Sequence, residues 1–454
     1  MIQPRKRTKT MKRTILILLM IIILSACSRL PGGKARLAQQ TASPEATSGA
    51  TVVTPVLPTF TPYVTPSPTV EITQGTVTVW HSLSEDQTKA LDQILKDFST
   101  AYPDVLFDVL YIPQESLLQR YQIAVQDGNP PDLLLGLADW GPILYNAGSI
   151  TDLSGLVDKQ LIGLINPAAV EGASYDNALV GLPYAQQGVV LYRNKALINR
   201  APTTFDELVT LSKSITQGEI IGADLEQGLF YSGGHLQGLG GKLINPDGTP
   251  AFNDEHGLAW LELLKALEQA GPTEYLSDRD LKLFKEGRVG WIIDGTWNLA
   301  DLSTALGTDN LAIDPWPTYK GSSLAGYAQP FNIYLSNQVQ EDDRQAALKF
   351  MAYFLSTEAQ TQLVDAGLIP VVSAVEGSDP RRDIMLSQVL TALAGDVPYP
   401  TNPELQVYLA PLDAALQSFL TGKASAEEAL NAAEQLILAQ LEQIKATVTP
   451  TATK

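Results

Sequence analysis

The sequence predicts an α/β protein built on a doubly wound layer and long enough for two domains. Two observations carry that reading. Strand-like and helix-like segments alternate from about residue 75, and 454 residues with 45% hydrophobic side chains suffice for two domains of ordinary size with buried cores. The formal net charge of −18 disfavours binding to a phosphate backbone, so no nucleic-acid partner is expected. Charge of that sign and size keeps a chain soluble, and a monomer is expected.

The N-terminus reads as an address. Arg5, Lys6, Arg7, Lys9, Lys12 and Arg13 precede an apolar run from Ile15 to Leu24, and Leu24-Ser25-Ala26-Cys27 follows. A basic segment, a short apolar segment and small residues make 1–26 an export signal, too short to span a bilayer comfortably. Cys27 is the only cysteine, so no intrachain disulfide can form. The segment resembles the lipobox of bacterial lipoproteins. That resemblance implies cleavage before Cys27, a diacylglycerol on its thiol, and anchoring to the membrane on its periplasmic or outer face; an ordinary signal with a chance cysteine is the alternative. The histidines are His81, His235 and His256, and with no HExxH and no second cysteine neither a metal site nor a cofactor is expected. Residues 27–74 are rich in Thr-Pro and Ser-Pro, cannot bury a core, and read as an extended tether. Residues 446–454 read as a disordered tail.

Between these ends, Thr76–Trp80 and Val105–Tyr111 alternate like strands, and Asp132–Gly136 reads as a short buried strand. Asp86–Phe98 places Leu91, Ile94, Leu95 and Phe98 at helical spacing, and Leu117–Val125 is a helix stopped by Asn129-Pro-Pro. Thr204-Phe-Asp-Glu207 reads as a capping box. A helix is expected over Ala251–Ala270, ending at Gly271-Pro272. Arg288–Ile293 and Phe331–Leu335 read as strands. Asp343–Leu355, Glu358–Ala366, Glu404–Thr421 and Ala426–Lys445 read as helices. Ligands of such sheets sit beyond the carboxyl ends of the strands, which points to Trp80-His81-Ser82 and Ala138-Asp139-Trp140.

Several segments, in order, resemble the extracellular solute-binding proteins of ABC sugar importers, of the maltose-binding-protein type. They are Thr78-Val-Trp-His-Ser, Gly128-Asn-Pro-Pro-Asp132, Leu179–Tyr184 with Val190–Lys195, Phe284–Gly290 with Asp294-Gly-Thr-Trp297, Ala346–Ser356 with Gln360, and Gly422–Leu430. The resemblance implies a two-lobed periplasmic-binding-protein type II fold, each lobe a sheet flanked by helices, joined by hinge strands. Lobe one would be 75–184 plus 330–396, and lobe two 185–329 plus 397–445. The crossings would fall at Tyr184–Gly188, Gln329–Asn332 and Asp396–Thr401. It also implies a sugar in the cleft, delivery to the transmembrane subunits of an ABC permease, and no catalysis.

A sugar offers C–H faces and a rim of hydroxyls, so its binder needs aromatic surface with convergent amides and carboxylates. By resemblance Trp297 is the stacking aromatic after a turn, with core packing beside Trp291 as the alternative. Asp139 matches a carboxylate that accepts sugar hydroxyls, but a carboxylate there also suits a helix cap. Trp140 suggests a second stacking face. Gln187 stands where a relative keeps a glutamate; its neighbour is Gln186, and strand alternation turns only one of them to the cleft. Tyr184 is expected as cleft wall, Tyr231 as a contribution from the Gly-rich Phe230–His235 segment, and Gln329 from the second crossing. Ser82 and His81 complete the set, His81 as readily a satisfied structural residue. Neutral and acidic groups in this set favour an uncharged ligand. A binder of another solute, such as a polyol or glycerol phosphate, is one alternative reading. A secreted glycoside hydrolase is the other, although 49 acidic residues make some carboxylate pair inevitable.

Overall fold

A computed structural model describes residues 73–372 and 380–448. The export signal, Cys27, the tether as far as residue 72 and the tail from residue 449 lie outside the described residues. Eleven strands form one mixed sheet: β1 (Gly75–His81), β2 (Val105–Tyr111), β3 (Leu133–Leu137), β4 (Leu182–Asn194), β5 (Ile221–Glu226), β6 (Thr273–Glu274), β7 (Val289–Gly295), β8 (Leu311–Asp314), β9 (Tyr327–Leu335), β10 (Ile369–Pro370) and β11 (Val397–Pro398). Their main path runs β2-β1-β3-β9-β4-β7-β5-β6; β8 and β10 also pair with β4, and β11 with β9.

β4 explains why there are two halves. Its first part, as far as Gly188, pairs antiparallel with β9, Gln187 opposite Gln329 and Gln186 opposite Pro330. Its second part, from Val189, pairs with β7 and β8. One 13-residue strand therefore belongs to both halves, and β9 lies beside it where it passes from one to the other, with β11 paired to β9 at Tyr327 and Ala328.

The first half closes over β1, β2 and β3. Parallel β1 and β2 run in register from Gly75 with Val105 to His81 with Tyr111. The helix Glu85–Ala101 buries Leu91, Ile94, Leu95 and Phe98 on one stripe. Each such side chain contributes about 1.5–3 kcal/mol when removed from water. Its start is fixed by a capping box in which Ser84 and Gln87 each accept the other's backbone N–H. Phe98 also meets the rings of Phe107 and Phe350. The second half packs Leu191, Trp260, Trp291, Tyr408, Leu416 and Ile437 into one core. The helix Pro380–Leu393, which the sequence reading placed with lobe one, packs Met385, Val389 and Leu393 with Val190, Tyr192, Leu311 and Ile313.

Four elements differ from their sequence reading. Thr204 Oγ1 accepts the Glu207 N–H at 3.2 Å, but the Glu207 carboxylate accepts from the N–H and hydroxyl of Thr203, one residue beyond a capping box. The helix expected from Ala251 starts at Glu255, because the Asp254 carboxylate accepts the N–H groups of His256 and Gly257 at 2.9 and 3.0 Å. Phe230–His235 belongs to a helix, Leu229–Gly238. Its glycines permit close approach: a Cβ on Gly234 would meet the Gly326 backbone, and one on Gly233 the ring of Tyr327. The last helix, Ala426–Val448, runs three residues into the expected tail.

Candidate functional site

The carboxyl ends of β1, β2 and β3 and the passage between the two halves open onto one cleft of about 690 Å³. Ser82, Tyr111, Gln114 and Trp140 wall it from the first half, Gln187, Gln329 and Phe331 from the passage, and Phe230, Thr296 and Trp297 from the second half. Among the described residues that line it there is no lysine, arginine or histidine.

Trp297 sits on the 3-10 turn Thr296–Asn298 that follows β7. Its indole folds back over Gly295, where a Cβ would overlap the ring. Asp294 braces the turn from both ends. Its Oδ1 accepts the Gly295 N–H at 2.6 Å and its Oδ2 accepts Asn298 Nδ2 at 2.9 Å. The ring is left 44% exposed beside Phe230 and Tyr231, with centroids 5.9 and 6.4 Å away. A large aromatic held this open on a turn is not a core side chain and leaves a ring face free. Trp291 contrasts with it: fully buried, it donates Nε1–H to Asp314 at 3.0 Å.

On the passage, side-chain amides form a relay. Gln187 Nε2 donates to Gln329 Oε1 at 3.5 Å, and Gln329 Nε2 donates to Asp139 Oδ1 at 3.0 Å. Asp139 stands at the cap position of the helix Trp140–Asn146 yet makes no side-chain cap bond. It lies behind Gln329 and orients it, outside the set of residues that line the cleft. Burial pushes its carboxyl up to about 6, against the pull of the Gln329 amide. Gln186 and Gln187 both touch the cleft, but Gln186 donates its amide to the Pro370 carbonyl at 2.9 Å, since β10 pairs on that side.

The remaining predicted residues are distributed unevenly. Ser82 lines the cleft. Tyr184 reaches it from a buried position, its ring 5.3 Å from Phe354 and 6.1 Å from Phe331. Trp140 also lines it but is almost wholly buried, its ring lying where a Cβ on Gly136 would sit, so it supplies an edge and not a free face. His81 lies in the interior at 1% exposure, and its Nδ1 accepts the Leu83 N–H at 3.2 Å. Burial holds its pKa below the usual value, which keeps it neutral. Tyr231 lines a smaller pocket of about 380 Å³ that shares Trp297 with the cleft.

Tyr111, Gln114, Phe230 and Thr296 line the cleft and were not read from the sequence. Tyr111 ends β2, is 55% exposed, and meets the His81 ring edge-on at 5.8 Å. The rule that pointed to the ends of β1 and β3 applies equally to β2 and finds it. Among the described residues no cluster of side chains is arranged to hold a metal ion.

Burial sets the stability-pH relation of this region. Asp139 and Asp294 are pushed up to about 6, Asp396 beside the third crossing to about 7, and Asp280 in the smaller pocket to about 8, in each case mainly by loss of water. Each binds its proton more tightly folded than unfolded, so the folded state is favoured at low pH. That advantage is lost as pH rises from about 4, the unfolded value, through the folded values. We expect the urea midpoint to fall between about pH 5 and pH 8; a midpoint that rises over that interval would contradict the assignment.

A family model described as bacterial extracellular solute-binding protein matches residues 93–383. The maltotriose-binding protein of Pyrococcus abyssi is 24% identical over 322 residues, 67% of this chain and 68% of that protein. The galactooligosaccharide-binding protein of Bacillus subtilis is 26% identical over 375 residues, 76% of this chain and 86% of that one. The crystal structure of the cyclic alpha-maltosyl-1,6-maltose binding protein from Arthrobacter globiformis matches with a TM-score of 0.72 at 21% identity, covering 82% of this chain and 100% of the other, and so shares the two-lobed fold. With the family model spanning well over half of its length, the chain belongs to the bacterial extracellular solute-binding proteins.

Proposed function

We propose that this chain captures a carbohydrate in the cleft between its two halves and hands it to the transmembrane subunits of an ABC permease, without covalent chemistry. The observation that carries this reading is the composition of the cleft: an open indole on one side, neutral amides on the passage, and no cationic side chain among its described lining residues. Such walls suit ring faces and hydroxyls, whereas an anionic solute would want arginine or lysine in the cleft. The names of the relatives, binders of maltotriose and of galactooligosaccharide, point to the same class.

Trp297 is the stacking surface in this reading. Gln187 and Gln329 are the hydroxyl-binding amides, Asp139 the group that orients Gln329, and Ser82, Tyr111 and Tyr184 parts of the wall. A ligand touching both halves favours the closed arrangement by its differential contacts. The division into lobes at 75–184 with 330–396, and 185–329 with 397–445, belongs to the same proposal, amended by the helix Pro380–Leu393 and its packing with the second half. Lipidation of Cys27 would hold a monomer outside the cell membrane by its tether, since stable anchoring takes two or more acyl chains.

A thermal-shift screen of neutral oligosaccharides, polyols and sugar phosphates tests the reading. A bound sugar at a hundredfold excess over its dissociation constant stabilises by about 2.7 kcal/mol, a readily visible shift. Stabilisation by the anionic solutes alone would overturn it. Turnover of aryl-glycosides, lost on Asp139→Ala or Asp294→Ala, would instead favour the hydrolase.

A further inference from the structure

The three crossings between the halves meet at one carboxyl group. Asp396 stands directly before β11, at the start of the third crossing. Its Oδ1 accepts the Gly326 N–H at 2.8 Å, where the chain enters β9, and the Trp316 Nε1–H at 2.7 Å. Its Oδ2 lies 3.2 Å from where a Cβ on Gly188 of β4 would stand. That oxygen is buried, and among the described residues no hydrogen-bond partner meets it. The Ala325–Gly326 peptide is gripped at both ends: His235 Nδ1 donates to the Ala325 carbonyl at 2.7 Å while Asp396 takes the Gly326 N–H. The Gly326 carbonyl accepts the Val397 N–H at 3.0 Å. A Cβ on Gly326 would meet the Val189 carbonyl of β4, so only glycine lets the crossings approach this closely.

We propose that Asp396 is a positioning residue for sugar capture: protonated, it clamps the three crossings in the arrangement that forms the cleft, and ionised, it lets them loosen. The inference rests on the carbohydrate reading above and adds a control on that same cleft. Two halves joined by three segments move against each other by turning about those segments, so a group bonded to one crossing, part of a second and pressed on the third bears on every such movement. An anion in this place keeps one oxygen away from water with no donor to meet it, which is costly. Loosening that admits water to Oδ2 removes the cost, so ionisation favours the loosened arrangement.

No charged side chain among the described residues offsets that cost. Loss of water pushes Asp396 up to about 7, against the pull of the Gly326 N–H and the Trp316 indole, and no ionic neighbour contributes. His235 meets the Trp316 ring edge-on at 4.8 Å, but burial brings it down to about 4 and keeps it neutral. Burial holds the phenols of Tyr327 and Tyr399 above their ordinary range, so neither ionises near neutrality. Residues 384–393 of the helix packed on Gly188 carry no charge, and Asp314, two residues before Trp316, is paired with Arg193. The clamped arrangement therefore binds the proton more tightly than a hydrated one, in which a carboxyl titrates near its ordinary value of about 4. Its advantage is full at about pH 4, is lost as the pH rises, and levels off above about pH 7.

Calorimetric titration of the wild type, Asp396→Asn and Trp316→Phe with maltotriose tests the clamp; if maltotriose does not bind, the neutral oligosaccharide giving the largest thermal shift replaces it. Asp396→Asn keeps an acceptor for both N–H groups and puts a neutral amide at Oδ2, a stand-in for the protonated acid. We expect wild-type affinity to fall about tenfold between about pH 5 and about pH 7.5. Asp396→Asn should bind within about twofold of the wild type at the lower pH and about fivefold or more tighter than it at the higher one. Asp139 and Asp294 titrate near 6 in both proteins, so the ratio of the two affinities isolates Asp396. Trp316→Phe removes a donor that lowers the carboxyl, so its affinity should keep falling above about pH 7, where the wild type has levelled off. A ratio within about twofold at both pH values, or Asp396→Asn weaker than the wild type at the higher pH, overturns the clamp and leaves the carbohydrate reading standing. If the ligand-free thermal midpoint shows Asp396→Asn to be unfolded, the Trp316→Phe profile decides, and one that levels off with the wild type overturns the clamp. If no sugar binds the wild type at either pH, both readings fall.

Discussion

Replacing Trp297 by alanine is expected to weaken oligosaccharide binding by about thirtyfold to about three-hundredfold and to leave the ligand-free fold intact. The estimate follows from area and geometry. Covering an indole face of roughly 60–80 Å² against a sugar is worth about 1.5–2 kcal/mol. Aromatic stacking of defined geometry adds about 0.5–1.5 kcal/mol. The sum, roughly 2–3.5 kcal/mol, corresponds to that loss of affinity. The fold is spared because the ring is 44% exposed and lies over Gly295, outside the core of the second half. Trp291→Phe is the matched control: it removes an indole that donates to Asp314 in the core, so stability falls while the cleft keeps its aromatic face. Titration with the oligosaccharide that gives the largest thermal shift decides the matter. An affinity within about twofold of the wild type would remove Trp297 from the site.

How much of this was readable beforehand depends on what each residue's signal depends on. β1, β2 and β3 were readable because their apolar patterns are local and their ends carry turn residues. β4 was visible only as two fragments. Gln186-Gln187-Gly188 interrupts its apolar run, and the interruption is the passage between halves, where Gln186 and Gln187 line the cleft. The helix Leu229–Gly238 was hidden by Gly233 and Gly234. Their low helix propensity is overridden because the helix packs against the backbone and the Tyr327 ring of β9, a contact that no local window contains.

The site follows the same division. Trp297 and Gln329 were readable from the segments that surround them. The role of Asp139 was not, because its partner is 190 positions away. A cap and a ligand contact were the alternatives on offer. The structure has it accept from Gln329 instead, an arrangement in which a carboxylate tunes an amide without lining the cleft itself. Trp140 shows the converse error: its position after β3 was sound, but the glycine that buries its ring lies four residues earlier and was not weighed. The carboxylates of the smaller pocket come from β5, β7 and the helix Arg279–Lys285 and its approach, so their convergence is invisible in any one segment.

Asp314→Ala is expected to cost the second half about 3–5 kcal/mol. Asp314 and Arg193 are 2% and 7% exposed, and the guanidinium meets the carboxylate through two bonds, Nε to Oδ2 at 2.7 Å and Nη2 to Oδ1 at 3.0 Å. Trp291 donates to the same carboxylate, and Arg193 Nη1 donates to the Ile198 carbonyl at 2.8 Å. Removing Asp314 strands a buried cation and an unpaired indole N–H together, which is why the loss exceeds the net worth of the pair. The double variant Arg193→Met with Asp314→Leu removes both charges and keeps the volume, so it should recover most of the urea midpoint. A cost below about 1 kcal/mol for Asp314→Ala, or a double variant as unstable as the single one, would show that the pair is not desolvated as the structure has it. Sugar affinity of the folded fraction should not change in either variant, because Arg193 lies six residues along β4 from Gln187, about 20 Å at the rise of an extended strand. Loss of stability without loss of affinity here, and the reverse at Trp297, would separate what holds the second half together from what it presents to the ligand.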